Sequence, residues 1–183
     1  RKIVESIPDG VYEAESWYDD DSVTPNEPVR IHARVIVEGG DMTIDFTGTS
    51  DQRRDTNNSR TLAGAYIAYK ALTTPMEPVN EGSFRALNAI VPEGCVMMAR
   101  FPAAMANWSS VIPGAVDTVF KALASAMPER IPAGHLGYMG IGRSFTGIDP
   151  RTNRSFVLQS IDGGGWGGRP DGDGPSASVT VCQ

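Results

Sequence analysis

Apolar and polar residues alternate through residues 29–38. Val29, Ile31, Ala33, Val35 and Val37 fall on one parity, and Arg30, His32, Arg34, Ile36 and Glu38 on the other. A period of two is the pattern of a strand with one buried face. After Gly39-Gly40 the alternation resumes, with Met42, Ile44 and Phe46 set against Asp41, Thr43, Asp45 and Thr47. Two such runs separated by a diglycine predict an antiparallel hairpin closed by a primed two-residue turn. The spacing then becomes helical. Leu62, Ala65, Tyr66, Tyr69 and Leu72 share a face, with Asn57, Asn58, Ser59 or Thr61 as the cap and Pro75 as the stop. A second helix is predicted over 113–127, with Pro113 in its first turn, Val116, Val119, Phe120, Leu123 and Met127 facing inward, and Pro128 ending it. Apolar runs at 84–91, 95–101, 136–141, 145–148, 156–161 and 177–181 read as strands, and 78–82, 92–94 and 149–153 as turns. These elements imply an α+β fold: a mixed, largely antiparallel sheet with two or three packed helices. Residues 1–28 read as an acidic, turn-rich lead-in to a core at 29–183, with no repeat and no interior linker.

Composition narrows the class. The chain has 183 residues, 40% of them hydrophobic and 21% charged, enough for one domain with its own core. No run approaches the roughly 18 apolar residues of a membrane span. A net charge of -6 argues against nucleic acid and anionic membranes as partners and leaves a small molecule or a protein. Cys95 and Cys182 are far apart and in no metal-binding spacing, so two reduced thiols and a cytoplasmic setting are expected.

Three features invite chemistry. Hydroxyls and carboxylates crowd around one glycine in Asp45-Phe46-Thr47-Gly48-Thr49-Ser50-Asp51, where they either bind a polar ligand or cap their own turn. Asn107-Trp108-Ser109-Ser110 precedes the second helix, where free amides and the helix dipole favour an anion, although an ordinary cap has the same composition. The stretch 163–177, Gly-Gly-Gly-Trp-Gly-Gly-Arg-Pro-Asp-Gly-Asp-Gly-Pro-Ser-Ala, places glycines where a backbone must be closely approached. Gly163, Gly165 and Gly168 match the dinucleotide-binding pattern as text, but the Arg169–Pro175 continuation does not open the helix that mechanism needs. No Gly-Lys-Ser/Thr occurs there, and Asp171-Gly172-Asp173 lacks the closing glutamate of a calcium loop. The aspartates at 19–21 read as a solvated run, and His135 as structural rather than metal-binding.

Six segments in order carry a resemblance. They are Ile44-Asp45-Phe46-Thr47-Gly48-Thr49-Ser50, Pro78-Val79-Asn80-Glu81-Gly82-Ser83-Phe84-Arg85, Val91-Pro92-Glu93-Gly94, Phe101-Pro102-Ala103-Ala104, Ala126-Met127-Pro128-Glu129-Arg130 with Pro132-Ala133, and the glycine-rich stretch through Gly174. Together they resemble the hydantoinase B/5-oxoprolinase family of ATP-dependent lactam and hydantoin hydrolases and the related acetone and acetophenone carboxylases. The resemblance implies an internal to C-terminal portion of a larger subunit. ATP would act on a hydantoinase A-type partner in a hetero-oligomer, and any divalent metal would have its ligands outside this chain. It implies hydrolysis of a cyclic amide through a phosphorylated intermediate, with an assembly module or a carboxylase part as alternatives, and no activity from the chain alone. Asp45, Asp171 and Asp173 are the candidate catalytic carboxylates. Thr47, Gly48, Thr49, Asn80, Asn107, Gly164, Gly165 and Trp166 are candidate substrate contacts. The chain departs from the family pattern at Asn57-Asn58-Ser59-Arg60 and at Gly134-His135-Leu136-Gly137.

Overall fold

The computed structural model describes residues 1–19, 23–136 and 141–178. A four-stranded sheet runs in the order β1 (Gly10–Tyr18), β2 (Val29–Glu38), β3 (Asp41–Asp45) and β4 (Leu87–Ile90). The first three strands are antiparallel, and β4 lies parallel to β3. A parallel neighbour needs a crossover, which is supplied by α1 (Ala63–Thr73). A second helix, α2 (Trp108–Leu123), packs on α1, β1 and β2. The hairpin of β5 (Ile141–Asp149) and β6 (Arg154–Asp162) forms a separate two-stranded sheet. The fold is α+β, with mixed and mainly antiparallel pairing.

The 29–46 hairpin forms as its alternation predicts. Glu38 pairs with Asp41 across Gly39-Gly40, and Gly39 takes φ 57°, the first position of a primed turn. Val29, Ile31, Ala33, Val35, Val37, Met42, Ile44 and Phe46 are all buried, on the face that α1 and α2 cover. Each large side chain so buried contributes roughly 1.5–3 kcal/mol. The opposite face is open and charged, with Arg30 bonded to Glu15 at 2.8 Å and Arg34 to Glu13 at 3.2 Å.

Several expectations need correction. The lead-in contains β1, a nine-residue strand paired along its whole length with β2; as an edge strand its inner positions are small or only half-buried, so its apolar signal is weak. Residues 95–101 form no strand. Their backbone instead bonds irregularly to the 50–60 segment, Val96 N to Ser50 O at 3.0 Å, Ser59 N to Val96 O at 2.7 Å and Ala99 N to Ser59 O at 2.9 Å. The second helix begins five residues before Pro113 and ends at Leu123. Proline inside a helix lacks the N–H that the ladder needs. Close to it in the same helix, the Tyr18 hydroxyl from β1 donates to the Ser110 carbonyl at 2.5 Å. Gly114 leaves room for that phenol, which a Cβ there would strike. Burial of Val111 and Ile112 favours continuing the helix through the proline. The expected strands at 136–141 and 177–181 fall partly outside the described residues.

Candidate functional site

The turn after β3 uses its own polar groups. Asp45 Oδ1 accepts from Thr47 N at 2.8 Å. Thr49 Oγ1 accepts from His32 N at 3.1 Å and donates to His32 O at 3.2 Å. His32 Nδ1 lies 2.6 Å from the Thr47 carbonyl and donates to it, which fixes the tautomer. Gly48 turns the chain at φ 95° beside that imidazole. Asn80 belongs to another neighbourhood, where its side chain and that of Ser83 reciprocally cap the 3₁₀ turn Glu81–Phe84. It lines a polar cleft of about 430 Å³ with Arg1, Tyr69 and Thr73. Asn107 caps α2 without a side-chain bond, and its N–H reaches the Thr56 carbonyl at 2.9 Å.

The glycine-rich stretch lies between two other extended segments. Gly167 N donates to Gly134 O at 2.6 Å and Ala133 N to Gly168 O at 2.9 Å on one side; Gly165 N donates to Ser178 O at 3.1 Å and Trp166 N to Pro175 O at 3.0 Å on the other. These amides serve the fold rather than a ligand. The glycines are required by close packing: a Cβ on Gly163 would strike the Ala177 backbone carbonyl, and one on Gly164 would lie 2.7 Å from the Leu136 side chain at Cβ. The indole of Trp166 packs 6.4 Å from the Phe120 ring and 5.2 Å from His135. At the tip, Arg169 and Gly172 exchange backbone bonds at 2.9 and 3.2 Å, and Arg169 Nε donates to Asp171 Oδ1 at 3.2 Å.

A cavity of about 240 Å³ opens beside this loop. Its lining includes Leu72 from α1, Phe120 from α2, Arg130, Trp166, Arg169 and Asp173. Of the sequence-predicted site residues, Trp166 and Asp173 share this cavity; Asn80 lines the other cleft, and Asp45, Thr47, Gly48 and Thr49 sit with His32. Arg130 carried no functional motif in the sequence, although it lies in one of the six family segments. Among the described residues, no group of three or more His, Cys, Asp or Glu is placed to hold a metal ion. No helix among them is long and apolar enough to cross a membrane.

Beneath the loop, the fully buried side chain of His135 places Nε2 3.7 Å from Asp117 Oδ1 on α2. Burial lowers the His135 pKa, while the Asp117 charge and the Pro113 carbonyl pull it back upward. The same carboxylate adds to the burial that raises the Tyr18 phenol. A histidine whose folded pKa lies below its unfolded value of about 6.5 is protonated more readily in the unfolded chain. Stability present above that pH is therefore expected to decline as the pH falls through it toward the lowered folded value. His135→Gln is expected to flatten this decline when urea midpoints are compared at pH 7.5 and 5; equal pH dependence in the two proteins would count against it.

The combination defined by this geometry is a mixed sheet carrying two helices, flanked by a glycine-rich loop folded against an indole. The model of the hydantoinase B/oxoprolinase family matches residues 1–183, and the chain belongs to that family. It is 31% identical over 195 residues to the putative B-type subunit of a D-/L-hydantoinase from a Pseudomonas species, covering 99% of this chain and 32% of that protein. It is 33% identical over 146 residues to an uncharacterized protein of Methanocaldococcus jannaschii, covering 76% of this chain and 24% of the other. The crystal structure of the ATP-dependent caprolactamase from Pseudomonas jessenii superposes with a TM-score of 0.82 at 25% identity, over 99% of this chain and 32% of that one. The chain thus spans about a third or less of the length of these relatives.

Proposed function

We propose that this chain is part of an ATP-dependent cyclic amide hydrolase that works with an ATP-using, hydantoinase A-type partner. The observation that carries the reading is the match in fold, along nearly the whole chain, to an enzyme described as an ATP-dependent caprolactamase. In the reaction, ATP phosphorylates the amide carbonyl oxygen and leaves as ADP. Water then adds to that carbon, the C–N bond breaks as the nitrogen takes a proton to leave an acyl phosphate, and a second water cleaves that acyl phosphate to carboxylate and phosphate. The protein's part is to orient the ring and the water, which general acid–base groups do through hydrogen bonds. Asp171 and Asp173 are the exposed carboxylates of the glycine-rich loop, and Trp166 lines the same cavity as Asp173. We assign the orienting role first to Asp173, since Asp45 is bonded within its own turn and Asp171 is paired with Arg169.

The test replaces both aspartates by asparagine in the full-length subunit, co-purified with its partner and assayed with ATP and five- to seven-membered lactams. Turnover is expected to fall at least about 100-fold while the two subunits still co-purify. Loss of association with normal turnover in the residual complex would instead make the loop a docking element, the assembly alternative. The chain of 183 residues alone is expected to open no lactam.

A further inference from the structure

Two exposed residues of opposite charge, Arg130 and Asp173, line the cavity beside the glycine-rich loop, and neither is ion-paired among the described residues. Arg130 donates Nη1 to the Leu72 carbonyl at 3.0 Å, which anchors the guanidinium, and no carboxylate among the described residues is ion-paired with it. Asp173, on the returning limb of the loop, likewise has no ion-pair partner among the described residues, whereas Arg169 is already engaged by Asp171. Arg130 and Asp173 line the same cavity and do not pair with each other. The same cavity is lined by the Trp166 indole, the buried Phe120 ring and Leu72. A pocket with a few placed polar groups on apolar walls is the usual form of a small-molecule site. One with separated, unpaired charges of both signs complements a ligand carrying both.

We infer that this cavity binds a short ω-amino carboxylate as its zwitterion, the carboxylate on Arg130, the ammonium on Asp173 and the methylene chain against Trp166 and Phe120. Guanidinium and carboxylate groups form charge-assisted bonds of about twice the strength of neutral ones, and a chain of methylenes is held by the rings at little polar cost. The inference rests on the hydrolase reading for its choice among amino acids: opening a lactam yields an amine and a carboxylate at the two ends of one aliphatic chain. The cavity is then where the opened chain is held before release, with its new ammonium on the loop carboxylate.

The experiment is calorimetric titration of the full-length subunit, with its partner, against 6-aminohexanoate, 4-aminobutanoate, hexanoate and hexylamine. One of the two zwitterions is expected to bind at least about tenfold more tightly than either single-charge compound. Arg130→Met is expected to erase the advantage over hexylamine, and Asp173→Asn the advantage over hexanoate. Arg130→Lys, which keeps the charge and guards against a folding artefact, is expected to retain part of it. Equal affinities for all four compounds, no binding at all, or an unchanged profile in a folded Arg130→Met protein would overturn the proposal; absence of binding would mean that the rest of the subunit fills the cavity. Parallel assays of ATP-dependent lactam opening separate the two claims. Turnover without zwitterion binding defeats this inference alone, and zwitterion binding without turnover defeats the hydrolase reading alone.

Discussion

Replacing Gly174 by alanine is expected to lower stability by about 2–3 kcal/mol, the upper part of the usual range for overpacking. A Cβ at this position would fall inside van der Waals contact with the carbonyl oxygens of Trp166 and Gly167. Both are main-chain atoms held in place by the loop, so no side-chain rotation relieves the clash. The two limbs must separate, which breaks the bond from Trp166 N to Pro175 O at 3.0 Å and shifts the indole off Phe120. Gly172 is the internal control, because a Cβ there meets nothing within 4 Å, and Gly172→Ala is expected to stay within about 0.5 kcal/mol of the parent. Urea midpoints and near-ultraviolet circular dichroism check both variants. Equal midpoints would show that the glycines are not there to let backbone approach backbone.

A comparable loss, about 3 kcal/mol, is expected for Asn58→Ala. The Asn58 side chain is fully buried. Its Oδ1 accepts from Arg53 N at 2.7 Å, while Nδ2 donates to the carbonyls of Arg53 at 3.0 Å, Asp55 at 3.1 Å and Ala104 at 2.8 Å. Truncation leaves main-chain groups without a partner in a site that water does not reach, at about 1–3 kcal/mol for each unsatisfied group. The effect spreads, because this loop presents the Thr56 carbonyl that receives the amide of Asn107 at the start of α2. Asn57→Ala is the milder comparison: its side-chain amide donates to the neighbouring Asp55 carboxylate at 2.7 Å, and the expected loss is below about 1 kcal/mol. Hydrogen exchange at residues 53–58 and 104–110 distinguishes the two, with faster exchange at both segments in Asn58→Ala alone.

The parts of the fold that were legible are those where one physical signal dominates. The hairpin of β2 and β3 has a face buried along its whole length, so its parity shows in the residue types, and the diglycine fixes the register. In α1 the helical spacing and Pro75 agree. Where two signals compete, the sequence misleads. Pro113 looks like a helix start, yet the burial of Val111 and Ile112 carries α2 through it. Residues 95–101 have strand composition, but their hydrogen bonds go to an irregular loop.

The site divides in the same way. Glycine clusters announce that something approaches the backbone closely without saying what, and here the neighbours are the chain's own segments at 133–136 and 174–178. Trp166 and Asp173 were recognisable as members of an unusual stretch. Arg130 was not recognisable as lining a cavity with them, because that cavity forms only when the ends of α1 and α2 and the loop come together. Asn58 gave a weak signal as part of a departure from the family pattern. Its role as the internal hub of a loop depends on contacts 46 residues away at Ala104, which spacing cannot reveal.

The proposed role of this chain is in a hydrolase that uses ATP to drive cyclic amide opening. It is tested most directly by counting ADP, phosphate and opened amino carboxylate produced by the full-length subunit with its partner. One ADP and one phosphate for each C–N bond cleaved, with no cleavage when ATP or the partner is omitted, is the predicted result. Ring opening at the same rate without ATP, or ATP consumption with no opened product from any cyclic amide, would contradict it.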